Sequence, residues 1–303
     1  MEYDIYSLRA PPALLRRITG GEFFSAADTD LDGRVEIWTD DAAAVEGLEN
    51  LHTRDLDFAP PFVLRFARGR LLDAGAEFRP YFDQKIADEQ AKLDPHDLAE
   101  FKSSDGKLAA AGSAIPAGRL IQLRSVKTKV LEIVWSYLYS GREQEAWRSL
   151  EQMWPAADFE RIRAALTNAR ARGIHSQVDG ASTPVRPGRE THAKIFDDTT
   201  SVAATPGVTP KDLDLKQITP PRAILMERPA PSTPLEIELS QSESELVLVI
   251  DSAGKVRSVE ETGHFQSADE GLLKSTTDWK FIPAFNNGQP VASKILLGVS
   301  LRR

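Results

Sequence analysis

The stretch ELVLVIDSAGKVRSVEE, residues 245–261, sets strand-forming residues, Leu246 to Ile250 and then Val256 and Val259, on either side of Asp-Ser-Ala-Gly, and reads as a β-hairpin turning at 251–254. A period of two puts one apolar row on a single face of the sheet, and that face needs a second layer to cover it. Working outward, LEIEL at 235–239 alternates apolar and polar residues, and ASKILLGVSL at 292–301 is again strand-like. Between them, 268–276 reads as a helix with Leu272 and Leu273 on its packing face, and Trp279 with Phe281 supplies the bulk that seals helix onto sheet. Asn287 and Gly288 turn the chain into its last strand. A small α/β module over 236–303 follows.

Asp251, the run Gly254-Lys255-Val256, then Trp279-Lys280-Phe281-Ile282-Pro283-Ala284, Gly288, Pro290 and Val291 together resemble the TonB C-terminal domain family over about 236–301. That resemblance implies a periplasmic or cell-envelope protein whose C-terminal module binds an envelope protein or peptide. In some members of the family the binding is by strand addition to a short segment of an outer-membrane receptor. The chain departs from the family in carrying LEIELSQSESE at 235–245 where a Pro-Tyr-Pro element and helix are usual, and in showing no amino-terminal membrane anchor.

Upstream, 181–235 holds nine of the chain's 19 Pro with many Ser and Thr and no sustained period, and reads as an extended linker. The segment 78–180 is helical in texture. Ile86, Glu89 and Leu93 recur at helical spacing, and Asp94-Pro95 makes a cap and first-turn pair for a short helix closed near Gly106. Leu120, Leu123, Val126, Val130, Leu131 and Val134 mark a long amphipathic helix from Ala117 that stops at Ser140-Gly141. Two shorter helices, 142–154 and 158–170, present Ala146, Leu150 and Ile162, Leu166 to it, giving an antiparallel helical domain. Residues of about 127–154, with Tyr137, Gly141, Ala146 and Leu150, resemble a single tetratricopeptide-type hairpin. Trp135, Tyr139, Trp147 and Trp154 read as core rather than as a peptide-binding wall.

Residues 1–77 read as short strands at 3–8, 22–26, 35–39, 62–66 and 71–73, with a hairpin turn at Gly69. The whole chain is thus expected to be a multidomain α+β protein: β-hairpin region 1–77, helical domain 78–180, linker 181–235 and TonB-like module 236–303. The first 60 residues carry 13 acidic and five basic side chains, which accounts for the entire net charge of −8. Within them, Asp28-Thr29-Asp30-Leu31-Asp32-Gly33-Arg34-Val35-Glu36 spaces oxygens as a hard cation needs them. Ca2+ is the expected structural cofactor, held by Asp28, Asp30, Asp32, the Arg34 carbonyl and Glu36. The twelfth position is Thr39 rather than a bidentate Glu, and strand-like sequence flanks the loop. It therefore resembles an isolated FG-GAP-type calcium loop more than a helix–loop–helix site.

An acidic chain disfavours a broad nucleic-acid or anionic-membrane surface. With no Cys, disulfides, thiolate metal sites and cysteine nucleophiles are excluded. No apolar run reaches the ~18 residues of a membrane span, and the sequence from Met1 lacks the pattern of a secretory signal. No HExxH, GxSxG, GxGxxG or GKT/GKS motif is present, and no catalytic residue is assigned. The resulting expectation is a non-enzymatic envelope adaptor. The alternative is an accessory or catalytic subunit of an envelope polymer hydrolase using Glu36, Asp40 or Asp41 with His52.

Overall fold

The computed structural model describes residues 1–8, 11–30, 32–53, 56, 59–108, 115–182, 202–203, 218–226, 243–261, 270–286 and 288–300. The fold is mixed α+β, in two compact units: Met1–Ala26 with Val35–Arg186, and Ala27–Arg34 with Pro187–Arg303. The regions 1–77 and 78–180, expected to be separate, therefore share one unit, except for residues 27–34, which belong to the other. The physical reason is that the helices bury their apolar stripes against the sheet rather than only against each other.

In the first unit, β1 (Glu2–Ser7) and β2 (Ala13–Thr19) form an antiparallel hairpin with a bulge after Ile5. β2 was not expected, because Leu14, Leu15 and the two arginines that follow do not alternate. The main sheet has the order β3 (Phe24–Ala27), β4 (Glu36–Asp40), β5 (Pro61–Ala67), β6 (Arg70–Asp73), β7 (Gly180–Ala181). β4, β5 and β6 are antiparallel, and β7 joins β6 in parallel. Gly69 supplies the expected turn at φ +77°, beside Arg68 at +52°.

Among the described residues of this unit the helices are α1 (Ala42–Val45), α2 (Arg79–Ala91), α3 (Pro95–Lys102), α4 (Ala117–Tyr139), α5 (Glu143–Met153) and α6 (Phe159–Arg172). Asp94 caps α3 as its sequence indicates, accepting from the His96 and Asp97 amides at 2.8 and 3.0 Å. α3 ends at Lys102, and Gly106 takes its positive φ in the turn beyond. Gly141, at φ +71°, closes α4 by a Schellman pattern: its amide donates to Leu138 O at 3.3 Å and that of Arg142 to Tyr137 O at 3.0 Å. The chain then reverses into α5, with Ala146 and Leu150 fully buried. Trp38 is the hub between sheet and helices, meeting Phe78 and Tyr81 edge-on at centroid distances of 5.0 and 5.1 Å. Phe62 of β5 meets Tyr139 of α4 at 5.0 Å.

The second unit is built on the sheet order β12 (Val256–Glu261), β11 (Glu243–Ile250), β16 (Ser293–Ser300), β8 (Val202–Ala203). Among its described residues the other strands are β9 (Ile218–Thr219), β10 (Arg222–Leu225), β13 (Lys280–Ile282), β14 (Ala284–Asn286) and β15 (Gln289–Val291), with the helix α7 (Glu270–Ser275). The core joins Leu246, Leu248 and Ile250 to Leu272, Trp279, Phe281 and Ile295, so the aromatic seal lies where the sequence places it. The turn at 251–254 is held by Asp251 Oδ1, which accepts from the Ala253 and Lys255 amides at 2.9 Å each. Gly254 is required twice over. Its φ is +83°, and a Cβ there would lie 1.8 Å from the Phe281 carbonyl oxygen. The Phe281 amide also donates to Gly254 O at 2.9 Å, tying the hairpin to the aromatic segment.

The linker expectation for 181–235 is corrected wherever this segment is described. β8 pairs with β16, β9 with β14 and β10 with β13, all antiparallel. Backbone groups that carry no hydrophobic period of their own are satisfied by sheets formed from distant sequence. The expected strand at 235–239 and the turn residue Asn287 lie outside the described residues.

Candidate functional site

The acidic loop leaves β3 and enters β4, so strands flank it, and residues 27–34 belong to the second unit. Thr219 anchors it, its hydroxyl donating to Thr29 O at 2.7 Å. Asp28, Asp30 and Asp32 converge, with one carboxylate oxygen of each within 4.8 Å of the others. Local bonds shape the loop: the Gly33 amide donates to Asp28 Oδ2 at 2.9 Å and the Arg34 amide to Asp32 Oδ1 at 2.8 Å. Gly33 turns at φ +85°.

One expected ligand, Glu36, has another partner, and the Arg34 side chain bears on a second, Asp32. Glu36 is fully buried in β4, where its carboxylate accepts from Arg65 Nη2 at 2.5 Å. The Arg34 side chain pairs with Asp32, Nε lying 2.7 Å from Oδ2, so a cation would meet a guanidinium already neutralising that carboxylate. Calcium takes six to eight oxygens, and three grouped carboxylates supply part of that shell. The residues thus fit a hard cation in part, through Asp28, Asp30 and Asp32.

The C-terminal sheet offers a different kind of site. β16 pairs with β11 along all eight of its residues, from Ser293↔Ile250 to Ser300↔Glu243. On its other side β8 covers only Lys294 and Ile295. Among the described residues, 296–300 have no strand on that edge. In general, an unpaired strand edge presents backbone donors and acceptors to an extended segment. Gly298 is exposed, and a Cβ there would meet nothing within 4 Å.

The residues of the hydrolase alternative have separate partners. Asp40 accepts from the Glu22 and Phe23 amides at 2.7 and 3.2 Å, and burial pushes its carboxyl up to about 6 against those bonds. Asp41 accepts from Tyr139 Oη at 2.6 Å and the Ile174 amide at 2.9 Å, and burial raises its pKa as well. His52 is exposed and lies 3.1 Å from Glu46. Trp135, Tyr139 and Trp154 are core, while Trp147 is half-buried with Arg163 over its ring.

Sequence reasoning did not find Arg65, which is buried in β5 with Glu36, Glu77 and Ser182 around its guanidinium at 2.5–2.7 Å. A charge inside the apolar run PFVLRFA was the available signal. It also did not find β8, whose two residues give no periodic signal. Compared with models of known protein families, with curated proteins and with solved structures, the chain matches none.

Proposed function

We propose that this is a non-enzymatic docking protein of the bacterial cell envelope, whose C-terminal unit takes up an extended segment of a partner protein along β16. The carrying observation is the edge itself: an eight-residue strand, fully paired on one side, receives only two residues of β8 on the other among the described residues. β8 supports the reading a second way, since it is a short antiparallel segment seated on that edge. The TonB-like pattern at Asp251, Gly254, Trp279 and Phe281 supports a binding module of this kind, and Ca2+ at Asp28, Asp30 and Asp32 would hold the acidic loop of the same unit. None of the described helices is long and apolar enough to cross a membrane.

The test places a photoreactive residue at Gly298 on the edge and, as control, at the exposed Arg257 of β12, in the full chain exposed to an envelope extract. A discrete adduct from 298, mapping to an extended segment of one protein and absent from 257, is expected. Equal labelling from both positions, or none from 298, overturns the proposal.

A further inference from the structure

Where α2 and α4 face each other beneath the start of β5, a cleft is lined by Pro60, Pro61, Lys85, Glu89, Glu132 and Trp135, with Ser136 beside them. It spans about 300 Å³ with its open mouth and is narrow, closing tightly around a water-sized group. A hydroxyl can enter so narrow a space, and a ring cannot.

Trp135 is 1% exposed, and its Nε1–H has no hydrogen-bond partner among the described residues. A buried indole N–H without an acceptor is costly, and an oxygen brought within its reach removes that cost. The remaining lining supplies both halves of a hydrogen-bonding set: the Lys85 ammonium donates, while Glu89 and Glu132 accept, all three residues being at most 8% exposed. Charge is close to balanced, because Lys92 pairs with Glu89 at 2.5 Å. A strong preference for either an anion or a cation is therefore absent. What matches alternating donors and acceptors without net charge is a neutral molecule whose every polar group both donates and accepts.

We propose that this cleft binds a small polyol or the vicinal-diol edge of a sugar, with one hydroxyl at the base accepting from Trp135 Nε1–H. Its neighbours meet Lys85 and the two carboxylates nearer the mouth. The prolines supply a flat apolar wall for the carbon skeleton. This site is independent of the β16 edge.

The experiment follows the indole 1H–15N resonance of Trp135 in the full chain, assigned by its loss in Trp135→Phe, during titration with glycerol. A saturable shift in the millimolar range is expected, at least tenfold weaker with 1-propanol and absent with tetramethylammonium chloride. Glu132→Gln should weaken glycerol at least threefold. No saturable shift with glycerol, or a shift matched by 1-propanol, overturns the proposal. Since the decisive titration is on the native chain, folding of the variants does not limit it.

Discussion

The two units bury opposite kinds of material. The first places charges inside: Arg65 between Glu36 and Glu77, Asp41 against Tyr139, and Lys127 against Glu49 at 2.7 Å. The described core of the second is the apolar set around Leu246, Leu248, Trp279 and Phe281, and its other buried polar groups are hydroxyls, apart from Asp28 of the acidic loop. Buried ions give a unit whose stability answers to charge and pH, because each is held only by its partners. An apolar cluster answers to lost volume instead.

The largest effects should divide along that line. Arg65→Met leaves Glu36 and Glu77 buried without their cation and should cost the first unit about 3–5 kcal/mol. Trp279→Ala removes a side chain 3% exposed and should cost the second unit about 3–5 kcal/mol through the cavity left behind. Amide hydrogen exchange in β5 and β11 reads the two separately. If Arg65→Met leaves β5 protection unchanged, the buried ion network does not hold the first unit.

A smaller effect should come from pH. Burial lifts the Asp40 carboxyl to about 6, over the lowering influence of the Glu22 and Phe23 amides, while an unfolded Asp titrates near about 4. Between those values the native state binds more protons than the unfolded one, so stability falls as pH rises, by about 3 kcal/mol in all. Asp73, lifted to about 6 by burial, acts in the same direction. His175 opposes them: burial lowers it to about 4, so its contribution is lost as pH falls below its unfolded value. The clean readout is thus a difference. Urea unfolding from pH 4 to 7 should show Asp40→Asn losing about 3 kcal/mol of the native pH dependence, and parallel curves would contradict a buried, proton-holding Asp40.

The same contrast explains what the sequence disclosed. Local chemistry was legible: Asp94-Pro95 capped α3, Gly141 closed α4, and the Asp251 to Gly254 turn formed, because each is decided within a few residues. Trp279 and Phe281 were legible as core because an apolar residue has one favourable destination. Glu36 was not, since a carboxylate can serve a cation, water or a guanidinium, and the choice rested on Arg65, 29 residues away. β8 and β9 were invisible for a related reason. Two residues pair by backbone alone, and backbone pairing leaves no mark on side-chain period.

The smallest predicted effect tests the exception in the second unit, its acidic loop. If calcium occupies the group of Asp28, Asp30 and Asp32, ten times its dissociation constant should stabilise this unit by about 1.4 kcal/mol, seen as slower exchange in β11. The Arg34 guanidinium on Asp32 competes with the ion, so Arg34→Gln should bind calcium more tightly than the native chain and Asp28→Asn more weakly. Calorimetric titration separates the three. Tighter binding by Arg34→Gln would show that the loop holds its own cation in place of a metal until calcium displaces it, and the apolar unit would then also answer to charge. Heats indistinguishable across all three chains would leave Asp32 and Arg34 as a plain ion pair closing a turn, and the contrast between the units would stand without exception.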